Sequence, residues 1–413
     1  MIDYPNKLDK IFDKLQKNGA FPIIIGGYVR DKLLQMDSKD IDIEVYGVSS
    51  FKKLEAILEE FGNVNNVGKS FGVCKLHMQD LELDFTLPRI DSKTASGHTG
   101  FKVNIQSDMD FVTATRRRDF TINAIGYDIV NKKILDPFHG MDDLKNRLLK
   151  AVDRKSFMQD PLRVYRAVQF SCRFHLQMDE ELFALCSMMV ADNMLRELSK
   201  ERVFQEIEKL LLKAEKPSLG FKLYEKLGIT KGFDELHFLT QNHWNQVLHT
   251  LDNLAKQKTA NKTTNIILML AGICYKLDAE KTKSLILKLT DEKKLLHHIL
   301  SLILNPITEL LSDSKLYRLA VKVNIEELLL LNKAVFQDSN HELYKICDAI
   351  QTRAQYLGIL HKKMSPYLRG RDILACGMSP SKEFSTILKQ AYEAQMDGKF
   401  HSYEEAMIWL KNS

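Results

Sequence analysis

The sequence predicts an α+β protein, with a mixed head at the N-terminus and a long helical body behind it. Turn formers are the first observation: of the glycines and prolines, 15 fall in the first 140 residues and only 13 in the remaining 273, so the C-terminal two thirds has few places to turn. Short apolar runs and alternation near residues 21–25, 40–46, 73–78 and 81–86 supply the second, since a period of two is that of a strand. Helical stripes at 162–174, 203–212, 247–254, 266–277 and 325–331 supply the third. With 413 residues, 45% apolar and 27% charged, the chain can bury several cores, which excludes disorder and stapled miniprotein scaffolds.

Taken in order, Leu8, Ile11, Phe12 and Leu15 give residues 6–18 a helical period. Phe21–Ile25 is an apolar strand that stops at Gly26 and Gly27, and residues 30–36 resume a helix. Residues 40–46 alternate polar with apolar, which predicts a half-buried strand whose exposed face carries Asp40 and Asp42. A helix follows over 50–61, then strands over Val73–Met78 and Leu81–Thr86. The Ser-, Thr- and Gly-rich stretch 91–100 is expected to be a mobile loop. From about residue 141 the pattern is helix after helix, with joints expected at 213–218 and 362–370.

Six dispersed cysteines without a CxxC pair suggest neither a zinc site nor a disulfide framework. The opening MIDYPNKLDK lacks the layout of a signal peptide, and the apolar run 266–275 is about half of a bilayer span. A cytoplasmic protein with no membrane association is expected. The net charge of +5 permits an anionic partner without demanding one.

The chemistry concentrates in the head. In GGYVRD, Gly26 and Gly27 allow close backbone approach to a phosphate, and Arg30 offers a fork of donors, although a glycine turn before a helix is often only a turn. Asp40 and Asp42, two apart on one strand, point the same way and raise each other's pKa unless a divalent cation relieves them. Mg²⁺, which binds through a few oxygens plus substrate phosphates, suits such a pair.

A glycine turn, a helix and then a DxD strand resemble the nucleotidyltransferases related to DNA polymerase β. More specifically, the chain resembles the class II tRNA nucleotidyltransferase (CCA-adding enzyme) and bacterial poly(A) polymerase family. Five ordered motifs carry the resemblance over about residues 20–210: GGYVRD with DID, RRDFTINA at 117–124, DPFHGMDDL at 136–144, QDPLRVYR at 159–166 and LSKER at 198–202. The tail from Gly370 resembles the last segment of longer members.

The resemblance implies a two-metal nucleotidyl transfer: CMP and AMP from CTP and ATP to the 3′ end of tRNA, with release of pyrophosphate. It assigns Asp40 and Asp42 to the metals and Gly26, Gly27 and Arg30 to the triphosphate. Arg118 and Asp119 fall to the ribose, assisted by Asn123. Asp160 and Arg163, three apart and so expected on one helix face, would read the base, and Arg166 would continue toward the phosphates. A third catalytic carboxylate is often present in such sites; Asp84 is the candidate, with Glu82 on the same strand face. The implied architecture is a nucleotidyltransferase head (1–145), a neck with the base-recognition helix (146–212), a helical body (213–361) and a helical tail (362–413).

Two positions depart from the family pattern. Relatives commonly carry a glutamate where this chain has Gln159, so base discrimination is expected to be looser or differently anchored. Many have an arginine where Gln169 stands, which removes one phosphate-facing charge. In the body, the region from His243 through His249 and Asp252 to Tyr275 and Lys276 resembles an HD phosphohydrolase, but Lys276 falls where a metal-binding aspartate would stand. A scaffold without hydrolase activity is expected there. The alternative functions are a poly(A) polymerase, an A-only or CC-only enzyme, and an inactive RNA-binding relative. Intact Asp40 and Asp42 oppose the last, and the room between residues 89 and 115 for a flexible loop opposes CC-only addition. Basic stretches at 200–226 and 362–371 are candidates for RNA contact or simply solvated faces. The oligomeric state is left open.

Overall fold

The computed structural model describes the whole chain except residues 1, 39, 66–72, 79–80, 94–100, 107, 337–340, 382 and 413 and the side chains of 90–93 and 101–105. It divides into two compact units: residues 1–214 with 222–230, and residues 215–221 with 231–413.

The first unit opens with helix α1 (Asp9–Lys17), whose Ile11, Phe12 and Leu15 are buried against the sheet that follows. Strands β1 (Phe21–Ile25), β2 (Ile41–Tyr46), β3 (Asn63–Asn65), β4 (Val73–Met78) and β5 (Leu81–Thr86) are laid down first. A separate hairpin, β6 (Arg89–Lys93) and β7 (Phe101–Ile105), precedes the short β8 (Gly126–Asp128) and β9 (Lys133–Leu135). The main sheet has the order β3-β4-β5-β2-β1-β8-β9. Only β2 and β5 run parallel, so the Asp-bearing strand lies inside the sheet between β1 and β5. Ile24, Ile43, Leu83 and Phe85 are fully buried within it, each worth roughly 1.5–3 kcal/mol of transfer free energy.

Three expectations change here. Helix α2 (Gly27–Leu33) begins at the second glycine, three residues before the predicted start. The supposed loop at 91–100 begins within β6, because 91–93 pair with 101–103; its remainder, 94–100, lies outside the described residues. Strand β2 is not open along one face, since Glu44 is fully buried and Tyr46 nearly so. After helix α3 (Phe51–Leu58), α4 (Phe111–Thr115) covers the sheet face at the end of β2, with Phe111 against Tyr46. Alternation alone does not say which polar residues a neighbouring element will cover.

Helices α5 (Gly140–Lys145), α6 (Arg154–Met158), α7 (Leu162–Phe174), α8 (Glu180–Ala191) and α9 (Lys200–Lys213) complete this unit. Helix α7 spans the predicted stripe and ends where His175 takes a left-handed conformation (φ 53°). Phe120 packs its ring at a tilt against Phe157 and Phe170, with ring centres 5.9 and 5.2 Å apart, which ties the segment around it to α6 and α7. The second unit is helical. Its helices Gln241–Lys256, Lys262–Cys274 and Ile325–Phe336 bury Trp244, Leu251, Met269 and Leu328. Residues 368–410 carry an apolar cluster of their own built on Leu368, Ile373, Phe400 and Leu410. Among the described residues no helix is long and apolar enough to cross a membrane.

Candidate active site

The turn after β1 needs its first glycine. Gly26 has φ +78°, and a Cβ there would stand 2.6 Å from Nη1 of Arg118, so a side chain at this position would collide as well as strain the backbone. At Gly27 a Cβ would meet only Arg30, at 3.6 Å. Arg30 does not reach into the pocket. Its guanidinium is buried, donating to Asp31 at 2.5–2.8 Å and to Oδ1 of Asn123 at 2.5 Å, and lies over the rings of Phe174 and Phe170. The fork that the sequence offered to a phosphate is occupied by protein.

Register chooses between Asp84 and Glu82. The parallel pairing of β2 with β5 sets Asp42 beside Asp84, whereas Glu82 is an exposed residue near Lys75 and His77. Asp40 is exposed, just before β2 begins. Burial pushes the Asp42 carboxyl up, and the charges of Asp84 and Asp40 push it further, against the opposing pull of Arg118 and Lys75. Lys75 forms an ion pair with Asp84 at 3.1 Å.

Facing these carboxylates is a cavity of about 360 Å³ lined by Asp42, Asp84, Asp119, Asp160 and the arginines 89, 117, 118, 163, 166 and 202. Asp119 sits at its base. It accepts from Asn123 at 2.9 Å and from Nε and Nη2 of Arg166 at 2.8 and 2.6 Å. Burial opposes its ionisation, but Arg166, Arg163 and the Asn123 amide outweigh that and hold its carboxyl at about 2. Arg166 also lies 3.8 Å from the buried Glu206 of α9.

Asp160 and Arg163 both line the cavity, but they do not stand on one helix face. Asp160 precedes α7, where its Oδ1 accepts from the backbone N–H of Leu162. Its ion-pair partner is Arg202 of α9, at 2.9 Å. Arg163 donates to the backbone oxygen of Arg117 at 2.6 Å and to Ser156 at 3.3 Å. Gln159 is exposed, and Gln169 is buried with no hydrogen-bond partner for its amide nitrogen, so the latter faces the core and not a phosphate.

The cavity therefore unites Asp42, Asp84, Arg118, Asp119, Asp160, Arg163 and Arg166, while Gly26, Gly27, Arg30, Asp40 and Asn123 lie behind it or beside it. Sequence reasoning gave no role to Arg117, Arg202, Glu44 or Glu206. The first and second lie inside two of the quoted motifs, which was the available signal; the two glutamates carried none.

In the body, His249 is exposed and His243 partly so. Asp252 accepts from the backbone and hydroxyl of Ser218, at 3.0 and 2.7 Å, and Lys276 lies over the Tyr275 ring. No group of three His, Cys, Asp or Glu side chains close enough to hold a metal occurs among the described residues.

A glycine turn leading from β1 into a helix, with paired aspartates on adjacent strands, defines the head of the nucleotidyltransferase fold. Residues 23–150 match the family model described as the poly A polymerase head domain, and residues 175–239 match the probable RNA and SrmB-binding site of polymerase A. Over these two stretches the chain is thus similar to the head and the RNA-binding segment of poly A polymerases. It is 34% identical over 272 residues to the multifunctional CCA protein of Mannheimia succiniciproducens, covering 62% of each chain. It is also 34% identical over 247 residues to the CCA-adding enzyme of Actinobacillus succinogenes, covering 58% of this chain and 59% of the relative. The matched stretches thus span about three fifths of these relatives.

Among solved structures, the Bacillus stearothermophilus CCA-adding enzyme in complex with CTP superposes with a TM-score of 0.75 at 19% identity, covering 99% of this chain and 98% of that one. The Thermotoga maritima CCA-adding enzyme complexed with tRNA gives 0.64 at 19% identity, covering 99% and 96%. At these identities the likeness establishes the fold.

Proposed function

We propose that the chain is a template-independent nucleotidyltransferase that adds CMP and AMP, from CTP and ATP, to the 3′ end of tRNA in the cytoplasm. The observation that carries this reading is the shared cavity, which Asp42 and Asp84, side by side on adjacent strands, line together with Asp160 and Arg163. The first pair is a place for metal and reacting phosphate, and the second offers one acceptor and a fork of donors to a base edge.

The donor set fits Mg²⁺ with the adjacent Asp42 and Asp84 as its holders and Asp40 exposed at the start of the strand, because hard carboxylate oxygens suit that ion, which takes one or two carboxylates plus substrate phosphates, and the strain on Asp42 is what a cation relieves. Bound there, Mg²⁺ would activate the 3′-hydroxyl and neutralise the leaving pyrophosphate. The hydroxyl oxygen bonds to the α-phosphorus, the bond to the β-phosphate breaks, and the hydroxyl proton passes to solvent. Asp119 accepts from a ribose hydroxyl, held ionised by Arg166. Arg30 acts from behind, fixing Asn123 and the glycine turn. The four segments of head, neck, body and tail are retained as the working division of these roles, the last two as scaffold and RNA support.

The decisive experiment supplies tRNA lacking CCA, tRNA ending in C and tRNA ending in CC, each with labelled CTP or ATP. CTP should extend the first two and ATP only the third, once. Long AMP tails on every substrate would indicate a poly(A) polymerase, extension by one nucleotide alone a partial enzyme, and no incorporation an inactive relative.

A further inference from the structure

We infer that Glu44 is a positioning residue for nucleotide selection, acting through Arg117 on Arg163. This rests on the reading of the cavity as a nucleotide site. Glu44 follows Asp42 by two residues on the same face of β2 and is fully buried. One carboxylate oxygen accepts from Nη2 of Arg117 at 2.9 Å, and the other from the hydroxyl of Tyr46 at 2.8 Å. The backbone oxygen of Arg117 in turn accepts from Nη2 of Arg163 at 2.6 Å. Two hydrogen bonds in series thus run from the strand that bears Asp42 to Arg163, which lines the same cavity.

Packing alone does not call for a glutamate at this position. The neighbouring positions of β2, Ile43 and Val45, fill the core with aliphatic groups, whereas a buried carboxylate carries a desolvation penalty that only its partners offset. What the charge adds is control of an arginine-rich rim. Six arginines and four aspartates line the cavity, and Glu44 stands behind Arg117 as Glu206 stands behind Arg166. With its guanidinium tied down from below, Arg117 cannot follow an incoming phosphate, so its carbonyl stays where Arg163 needs an acceptor. Arg163 then meets the base in one orientation.

Glu44→Gln isolates this role. The amide keeps the size of the side chain and can still bond Tyr46 and Arg117, but removes the charge. Equilibrium CTP affinity, measured calorimetrically in Mg²⁺ without RNA, should fall about tenfold, the order expected for one charge-assisted hydrogen bond. Misincorporation of UTP should rise by a similar factor, with KM for tRNA unchanged. Tyr46→Phe should move the same readouts in the same direction but less. Because Glu44 works through Arg117, adding Arg117→Gln to Glu44→Gln should cost no more than Arg117→Gln alone. The inference is overturned if the wild type binds CTP and Glu44→Gln binds and discriminates equally well, if Glu44→Gln loses thermal stability with nucleotide choice intact, or if the two substitutions add. A wild type that binds neither CTP nor ATP would instead remove the reading of the cavity itself.

Discussion

Both units bury carboxylates, and they use them differently. In the head and neck the groups run in series: Glu206 lies by Arg166, Arg166 grips Asp119, Asp119 holds Asn123, and Asn123 accepts from Arg30, which is paired with Asp31. In the helical body each buried carboxylate closes on its own neighbours. Glu235 takes Ser284 and Lys288, and Glu327 takes His298 and Thr264. A series lets one substitution travel from the neck to the glycine turn, whereas a closed cluster confines it. The first is a device for holding a site and the second for holding helices together.

The largest break should come at the metal site. Asp42→Ala is expected to lower incorporation of both nucleotides by about 10³-fold or more, with tRNA affinity unchanged or slightly higher, since the lost group holds metal and repels phosphate. Because burial and neighbouring carboxylates raise the Asp42 pKa in the metal-free protein, protons should compete with Mg²⁺ there, and Mg²⁺ affinity should weaken as the pH drops through a value above the usual carboxylate range. Mg²⁺ binding that stays constant into that range would remove Asp42 from the metal site.

Next in size is Asp119→Asn, which cuts the series at its middle. A carboxyl held at about 2 instead of the ordinary ~3.9 contributes stability on the order of 2–3 kcal/mol, present above pH 4 and lost as the pH falls through 2. The substitution should therefore lower denaturant stability of the first unit by that order at pH 7 and flatten its dependence on pH below 4. Urea titrations of both proteins at pH 7 and pH 3 would show it.

In the base-reading pair, Asp160→Ala or Arg163→Ala should degrade choice among nucleotides by ten- to a hundredfold, about 1–3 kcal/mol per bidentate base contact. Equal efficiency with CTP and ATP and no misincorporation of UTP by both variants would make them structural partners of Arg202 and Arg117 and nothing more.

The smallest effect belongs to the body. Glu327 raises the pKa of His298 through a direct hydrogen bond, so the stability it adds is complete below the ordinary histidine value of about 6.5 and is lost as the pH climbs through the raised one. Glu327→Gln should remove that dependence from thermal melts and leave nucleotide incorporation alone. In the same region no metal-dependent hydrolysis of phosphomonoesters is expected. Activity that survives Asp42→Ala and disappears on changing His249 or Asp252 would contradict this.

Local chemistry was legible in the sequence where local patterns suffice. The strands at 73–78 and 81–86, helix α7 and the glycine turn all fall where alternation, helical spacing and Gly26 place them. What escaped depends on contacts between distant segments. Asp84 could be chosen over Glu82 only by the register of β2 against β5. Arg30 read as a phosphate ligand because nothing near it in sequence announces Asn123, Phe170 and Phe174 as its cage. Glu44 drew no notice because an alternating strand does not declare which end another element covers. Asp160 read as a helix residue because the pattern of α7 does not mark its cap to the residue.

The claim that matters most is that protein side chains, with no template strand, choose the nucleotide. It is tested most directly by giving the chain tRNA that lacks its CCA together with equal concentrations of all four nucleoside triphosphates and Mg²⁺, then sequencing the 3′ ends. The account predicts C, C and A in that order followed by arrest, with errors appearing in Glu44→Gln and Arg163→Ala. Ends of mixed sequence from the wild type, or homopolymeric tails, would contradict it.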